Sequence, residues 1–361
     1  MGNMSFDPLK PHNRLKKLPP PKEVLESPAV LKKTISASRA LANLAAGKAL
    51  PNQTVLLHSV FLREAKQSSE IENIVTTDDE LYEALADIEK DVGANTKEVL
   101  YYVEALWKGV EWIKRRPLTT NAFIDIVQIV KGNSAGVRRT TGTNLKNKST
   151  GEVVYTPPEG EELLNDLLKN LEEFMHKEKD IDPLIKMAIA HYQFEAIHPF
   201  GDGNGRTGRI LNILFLLEAK LLETPILYLS RYIINNKDDY YRYLLEVTTE
   251  NKWEQWILYM LDAVEQTAIY TDGKIEEILK VMDDTCETMK EKVKFYTKEL
   301  LEVLFQQPYC KAKFLVDAGI AKEQTARKYL EDLVEIGVLD SIKIGRENLY
   351  INKEFLRVLK G

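Results

Sequence analysis

The chain has little with which to build a disulfide framework or a metal cluster: of its 361 residues two are cysteine, Cys286 and Cys310, and five are histidine. The cysteines match no metal-ligand spacing and fall in a region that reads as helical, so both are expected as reduced, buried thiols. Long apolar runs are missing as well. The longest, Ile210 to Leu217, is far short of the ~20 residues a bilayer span needs. Met1 to Pro21 is polar and proline-rich, with no apolar core before Val24, so no signal peptide is expected and the chain reads as cytoplasmic. Positive charge is not in excess either, and a net charge of −6 argues against a generic nucleic-acid binder or a polybasic membrane anchor.

What is present is mostly helical periodicity, and the length allows two or three domains. After an extended arm (1–21), the apolar spacing predicts helices over Leu31–Ala46, Leu56–Ile74, Asp78–Val92, Lys97–Lys114 and Thr120–Val130, the last with Asn121 as cap. The interval Gly136–Pro158 breaks this period. It is rich in Thr, Gly, Asn and Lys, and its alternating segments around Asn-Lys-Ser-Thr-Gly read as a β-hairpin. Helices resume with Leu163, Leu164, Leu167, Leu168, Leu171 and Met175 on one stripe, then with Asp182 and Pro183 as cap and first residue of the next. Trp253 and Trp256 fall in an amphipathic helix, a long polar helix is expected over 267–298, and 299–361 reads as three helices and a hairpin.

The chemistry is concentrated in His198-Pro199-Phe200-Gly201-Asp202-Gly203-Asn204-Gly205-Arg206-Thr207-Gly208-Arg209. Glycines around Asn204 let backbone N–H groups approach an anion, and the apolar run that follows puts the turn at a helix start, where unpaired N–H groups favour negative charge. Arg206 and Arg209 lie three apart on one helix face, in a fork suited to phosphate oxygens. His198 is a side chain that titrates near neutrality and can accept a hydroxyl proton. Asp202 is a natural magnesium ligand, because Mg²⁺ takes few protein carboxylates and completes its shell with phosphate and water. The other histidines, His12, His58, His176 and His191, read as structural or solvated.

The twelve residues from His198 resemble the signature of the Fic family, H-P-F-x-[D/E]-G-N-[G/K]-R-x-x-R, at every defined position. The resemblance implies a mainly α fold: a helical Fic core (116–266) carrying a β-hairpin flap (136–158) and the signature loop (198–209), preceded by an N-terminal helical region (1–115) and followed by a linking helix (267–298) and a C-terminal winged-helix domain (299–361). It implies transfer of AMP from ATP, with Mg²⁺, to a Ser, Thr or Tyr hydroxyl of a protein whose main chain pairs with the flap. By the same resemblance His198 is the base and Asp202 the metal ligand. Gly203, Asn204, Gly205, Arg206, Thr207, Gly208 and Arg209 hold the phosphates, and Tyr240 and Tyr241 lie near the adenine. Two adjacent tyrosines on a helix cannot both face one pocket, and Tyr241 is favoured for the nucleotide.

A second resemblance adds regulation. Ser68 to Asn73 matches [S/T]-x-x-x-E-[G/N], the inhibitory motif of Fic proteins, on a helix (about 56–74) before the core. Glu72 is then expected to reach Arg209 and occupy the guanidinium that the γ-phosphate needs. Competing readings remain open. One is a DNA-binding regulator acting through the winged helix, but residues 311–361 hold ten basic and eight acidic residues, a net of only +2, so DNA binding is not favoured over a protein-binding or structural role. Another is removal of AMP at the same site. Self-modification and homodimer formation are left open, and no membrane partner is expected.

Overall fold

A computed structural model describes residues 6–25, 27–46, 53–86, 92–147, 149–344 and 347–360. Residues 1–5 of the expected arm, 87–91 of the expected Asp78–Val92 helix, Lys148 of the expected flap and 345–346 of the expected winged-helix domain lie outside these, as does the side chain of His58. Helices carry almost all of the structure. No helix among the described residues is long and apolar enough to cross a membrane.

The helices that build the site follow the expected pattern, with shifts at their ends. Pro28–Ala45 is capped by Ser27, and Thr120–Lys131 starts from Thr119 rather than Asn121 and stops at Gly132 in the left-handed region. Asp78–Leu85 is shorter than expected and opens on a reciprocal capping box between Thr77 and Glu80. Pro183–Ile197 begins as its sequence indicates: Asp182 accepts from Leu184 N at 2.8 Å and proline takes the first helical position. This helix and Asn204–Glu218 are buried on nearly every face, flanked by Ala94–Ile113, Thr120–Lys131 and Glu161–Lys177.

The expected 267–298 linking helix is instead part of one continuous helix, Trp253–Lys292. Buried Thr267, Ala268 and Thr271 keep the turn between the two expected pieces packed, and no proline interrupts it. It packs along Pro28–Ala45, where Lys33 pairs with its Asp262 and Glu265, and Trp256 Nε1 donates to Ala188 O at 2.7 Å, which ties it to the helix that leads into His198.

The flap is a short antiparallel hairpin, Leu145–Lys146 against Val153–Tyr155, with Leu145 opposite Tyr155. Asn147 Oδ1 accepts from Ser149 N and Thr150 N and shapes the turn. At the other end of the chain, Lys298–Gln306, Ala312–Asp317 and Glu323–Glu335 precede the strands Asp340–Ile344 and Glu347–Ile351, which form a sheet with Tyr309–Cys310 at its far edge. A fourth helix, Lys353–Lys360, follows where none was expected. This unit rests on the N-terminal helices: Lys298–Gln306 packs on Gln53–Ile71, and Tyr309 stacks on Tyr82 while donating to Asp79 at 2.8 Å. Both cysteines are free thiols, but Cys286 on the Trp253–Lys292 helix is only half-buried, and Cys310 falls in a strand rather than a helix, where burial pushes it up to about 12.

Candidate active site

His198 ends the Pro183–Ile197 helix and adopts the left-handed conformation (φ 49°, ψ 60°), its amide donating to Phe194 O at 3.0 Å. A non-glycine residue there persists only where its surroundings over-determine it. Arg138, from the base of the flap, supplies that constraint. Its Nε donates to His198 O at 2.8 Å, its backbone amide to Pro199 O at 2.8 Å, and its terminal nitrogen to Ile197 O at 3.3 Å and to Pro158 O. One buried guanidinium therefore fixes both the turn that presents the histidine and the end of the flap. Tyr155 adds a second tie, its hydroxyl donating to Ala196 O at 2.8 Å. Burial, reinforced by the charge of Arg138, pushes the His198 imidazole down to about 4, so the ring is neutral near pH 7.

Asn204 closes the loop after His198. Its side chain accepts from Phe200 N at 2.9 Å and donates to Phe200 O at 2.8 Å, which makes it a clasp on the loop's own backbone. Gly203, at φ 80°, precedes the Asn204–Glu218 helix, and no side chain caps that helix. The first-turn amides of a helix have no intrahelical acceptor, so this end offers N–H donors and the positive end of the dipole. Thr207 and Gly208 face inward: Thr207 is fully buried, and a Cβ on Gly208 would lie 2.5 Å from Glu195 Oε1.

The two arginines of the signature each meet a carboxylate from a different helix. Arg209 is buried, and its Nε donates to Ser68 Oγ at 2.7 Å while one terminal nitrogen donates to Ser68 O at 2.8 Å and to Glu72 Oε1 at 3.0 Å. Burial alone would lower its pKa, but Glu72, helped by Tyr240 and Glu195, outweighs that and holds it above its ordinary value. These acceptors sit where the Gln53–Ile71 helix ends. Asn73 takes φ 65°, which lets the chain turn away, and Lys237 Nζ donates to Ile71 O at 2.6 Å. Deeper in the same helix Glu64 is buried and accepts from Tyr102 Oη at 3.0 Å, Ser230 N at 3.0 Å and Ser230 Oγ. A Cβ on Gly205 would lie 2.3 Å from Glu72 Oε1, so a side chain there would oblige the carboxylate to shift. Arg206 is also buried, and its NH1 lies 2.8 Å from Glu98 Oε2 on the Ala94–Ile113 helix.

Asp202 stands at the mouth of the loop. Its Oδ1 accepts from Gly203 N at 2.6 Å and its Oδ2 pairs with Lys131 Nζ at 2.6 Å. Burial would raise its pKa, but the hydrogen bond and charge of Lys131 outweigh that and keep it ionised below the ordinary value. Among the described residues no group of three or more His, Cys, Asp or Glu side chains is placed to hold a metal alone, so a cation here would take one carboxylate and draw its other ligands from phosphate or water.

The tyrosine pair divides as helix geometry requires. Tyr240 is 2% exposed, with its hydroxyl 2.8 Å from His191 Nε2, whereas Tyr241 is 45% exposed. Tyr240 is thus a buried support for His191, and Tyr241 is the more exposed of the two rings. His191 stacks on Trp256 and is held neutral by burial. Arg138, Glu195, Glu98 and Lys131 carry no motif of their own. Glu195, one turn before His198, has its carboxyl pushed up to about 7 by burial.

Three family models match in succession: "Fic/DOC family N-terminal" over residues 31–111, "Fic/DOC family" over 117–216, and "Protein adenylyltransferase SoFic-like, C-terminal domain" over 281–355. A probable protein adenylyltransferase of Aquifex aeolicus is 40% identical over 79 residues, 22% of this chain and 24% of that protein. A protein adenylyltransferase Fic of Culex quinquefasciatus is 31% identical over 164 residues, 44% of this chain and 31% of that protein. The matched part therefore spans a third or less of these relatives. The crystal structure of a Fic family protein from Desulfovibrio desulfuricans G20 superposes with a TM-score of 0.60 at 18% identity, covering 93% of this chain and 98% of that one, which shows a common fold. With its signature loop, its flap and its N-terminal, central and C-terminal regions all matched in order, the chain belongs to the Fic/DOC family.

Proposed function

We propose that the protein is a self-restrained adenylyltransferase that moves AMP from ATP to a Ser, Thr or Tyr hydroxyl of a protein docked along the flap. The observation that carries this reading is a neutral His198 at the head of a glycine-framed loop that leads into an uncapped helix start, whose Arg209 is held by Glu72. The hydroxyl oxygen attacks the α-phosphorus, the bond to the β-phosphate oxygen breaks, pyrophosphate leaves, and the hydroxyl proton passes to the His198 ring. Amides at the start of the Asn204–Glu218 helix receive the phosphates, and Arg209 takes the γ-phosphate once Glu72 lets go. Asp202 is the residue to hold magnesium, which when bound compensates phosphate charge. Tyr241 offers its face to the adenine. For the C-terminal unit, a protein-binding or structural role is favoured. Arg327 on its Glu323–Glu335 helix is engaged by Glu323 at 2.8 Å, and the ten basic residues of 311–361 are nearly balanced by eight acidic ones.

Incubation of the purified protein with ATP labelled at the α- or the γ-phosphate, in a cell lysate, tests the reading. Label from the α position alone should become attached to protein hydroxyls. Absence of transfer from a Glu72→Gly form at saturating ATP and magnesium overturns it.

The depressed His198 pKa sets an expected pH profile. Since the base works only when neutral, transfer should hold from neutrality down to about pH 5 and fall as the ring protonates near about 4. Initial rates of transfer against pH check this, and a half-loss at about 6.5, the value of an unperturbed imidazole, contradicts it.

A further inference from the structure

Building on the reading of Asp202 as the metal carboxylate, we propose that Lys131 is a resident counter-ion at that carboxylate, displaced when a divalent cation arrives, with Glu98 as the acid that then keeps its ammonium. Lys131 is the last residue of the Thr120–Lys131 helix, and its Nζ lies 2.6 Å from Asp202 Oδ2 and 3.8 Å from Glu98 Oε2. Its aliphatic stem is anchored under the loop, since a Cβ on Gly203 would sit 3.2 Å from Lys131 Cδ and 3.3 Å from Cγ. The terminal ammonium is left to choose between two carboxylates. Asp202 is oriented for this, because Oδ1 is already held by Gly203 N and only Oδ2 faces the lysine.

A metal ion and an ammonium compete for one carboxylate oxygen, because at such separations their like charges repel strongly at the intermediate dielectric of a partly buried site. Binding at Oδ2 therefore moves the ammonium, and Glu98 is the second carboxylate within reach. Glu98 also contacts Arg206 at 2.8 Å, so Asp202, Lys131, Glu98 and Arg206 form a chain of alternating charge. Cation entry at one end redistributes the partner of a signature arginine at the other. The pairing also explains how a carboxylate with a 70% exposed side chain stays aligned: Lys131, 19% exposed, holds it.

The test is titration of Mn²⁺ into the full-length protein with a non-hydrolysable ATP analogue, with free Mn²⁺ read by electron paramagnetic resonance. Lys131→Met, which keeps the stem, should tighten Mn²⁺ binding by about three- to fivefold, the size of an ion pair at a partly exposed carboxylate. Lys131→Arg should weaken it, because a guanidinium fork grips the carboxylate harder. Tightening in Lys131→Met with Lys131→Arg equal to wild type would mean a distant charge effect only and would overturn the proposal. Glu98→Gln should weaken binding more in the wild-type background than in Lys131→Met, where only its contact with Arg206 is lost, and an equal effect in both removes Glu98 from the scheme. Asp202→Asn separates the layers. If it binds Mn²⁺ as wild type does, the metal reading itself fails. If it loses binding while Lys131→Met gains none, only the counter-ion inference fails.

Discussion

Exchanging Glu72 for glycine should raise AMP transfer by well over tenfold, since an obstruction of even about 1.4 kcal/mol at the transition state is worth a factor of ten. The carboxylate is the charged partner among three acceptors that the inhibitory segment gives Arg209; the other two are Ser68 Oγ and Ser68 O. Ser68→Ala should therefore give a smaller gain than Glu72→Gly, and the two together more than either alone. Arg209→Ala in the Glu72→Gly background should cancel the gain, because the freed guanidinium is its cause. Glu70 is exposed, and Glu70→Gly should do little. The assay is label transfer from α-labelled ATP at saturating ATP and magnesium, and equal rates for wild type and Glu72→Gly would remove the restraint while leaving the core chemistry in place.

His198→Ala should lower transfer by about 10²- to 10⁴-fold, the range for loss of a positioned base, with ATP affinity nearly unchanged. The variant needs a companion, because position 198 is left-handed (φ 49°) and alanine is disfavoured there. Asparagine tolerates that conformation and lacks a base, so His198→Asn should be as inactive as alanine and melt closer to wild type. Activity retained by the asparagine form would show that the loss in alanine came from a collapsed turn rather than a missing proton acceptor.

Much of the site could be read from sequence because its parts are local. Twelve consecutive residues hold the histidine, the carboxylate and both arginines, and the helix start that frames them follows from the apolar run after Gly208. The Glu72–Arg209 contact spans 137 positions, but the segment that supplies the acceptors carries its own short pattern, and the left-handed Asn73 gives a physical reason for Gly or Asn after the glutamate. Arg138, Lys131 and Glu98 had no such trace. Arg138 is buried and Arg139 is 77% exposed, yet the two are adjacent arginines in a segment without periodicity. Lys131 looks like an ordinary basic residue at a helix C-terminus until the fold sets it beside Asp202. The Trp253–Lys292 helix exposed a different limit. Its apolar face changes partner along its length, so one rod read as two.

Gly205 gives this arrangement a consequence for descent. The Glu72–Arg209 contact passes directly over that position, and a methyl group there would force the Glu72 carboxylate to shift. A side chain gained at 205 would therefore change the pairing of two residues 137 positions apart without touching either, so homologues should show residue 205 changing together with residue 72 more often than with other positions of the same segment.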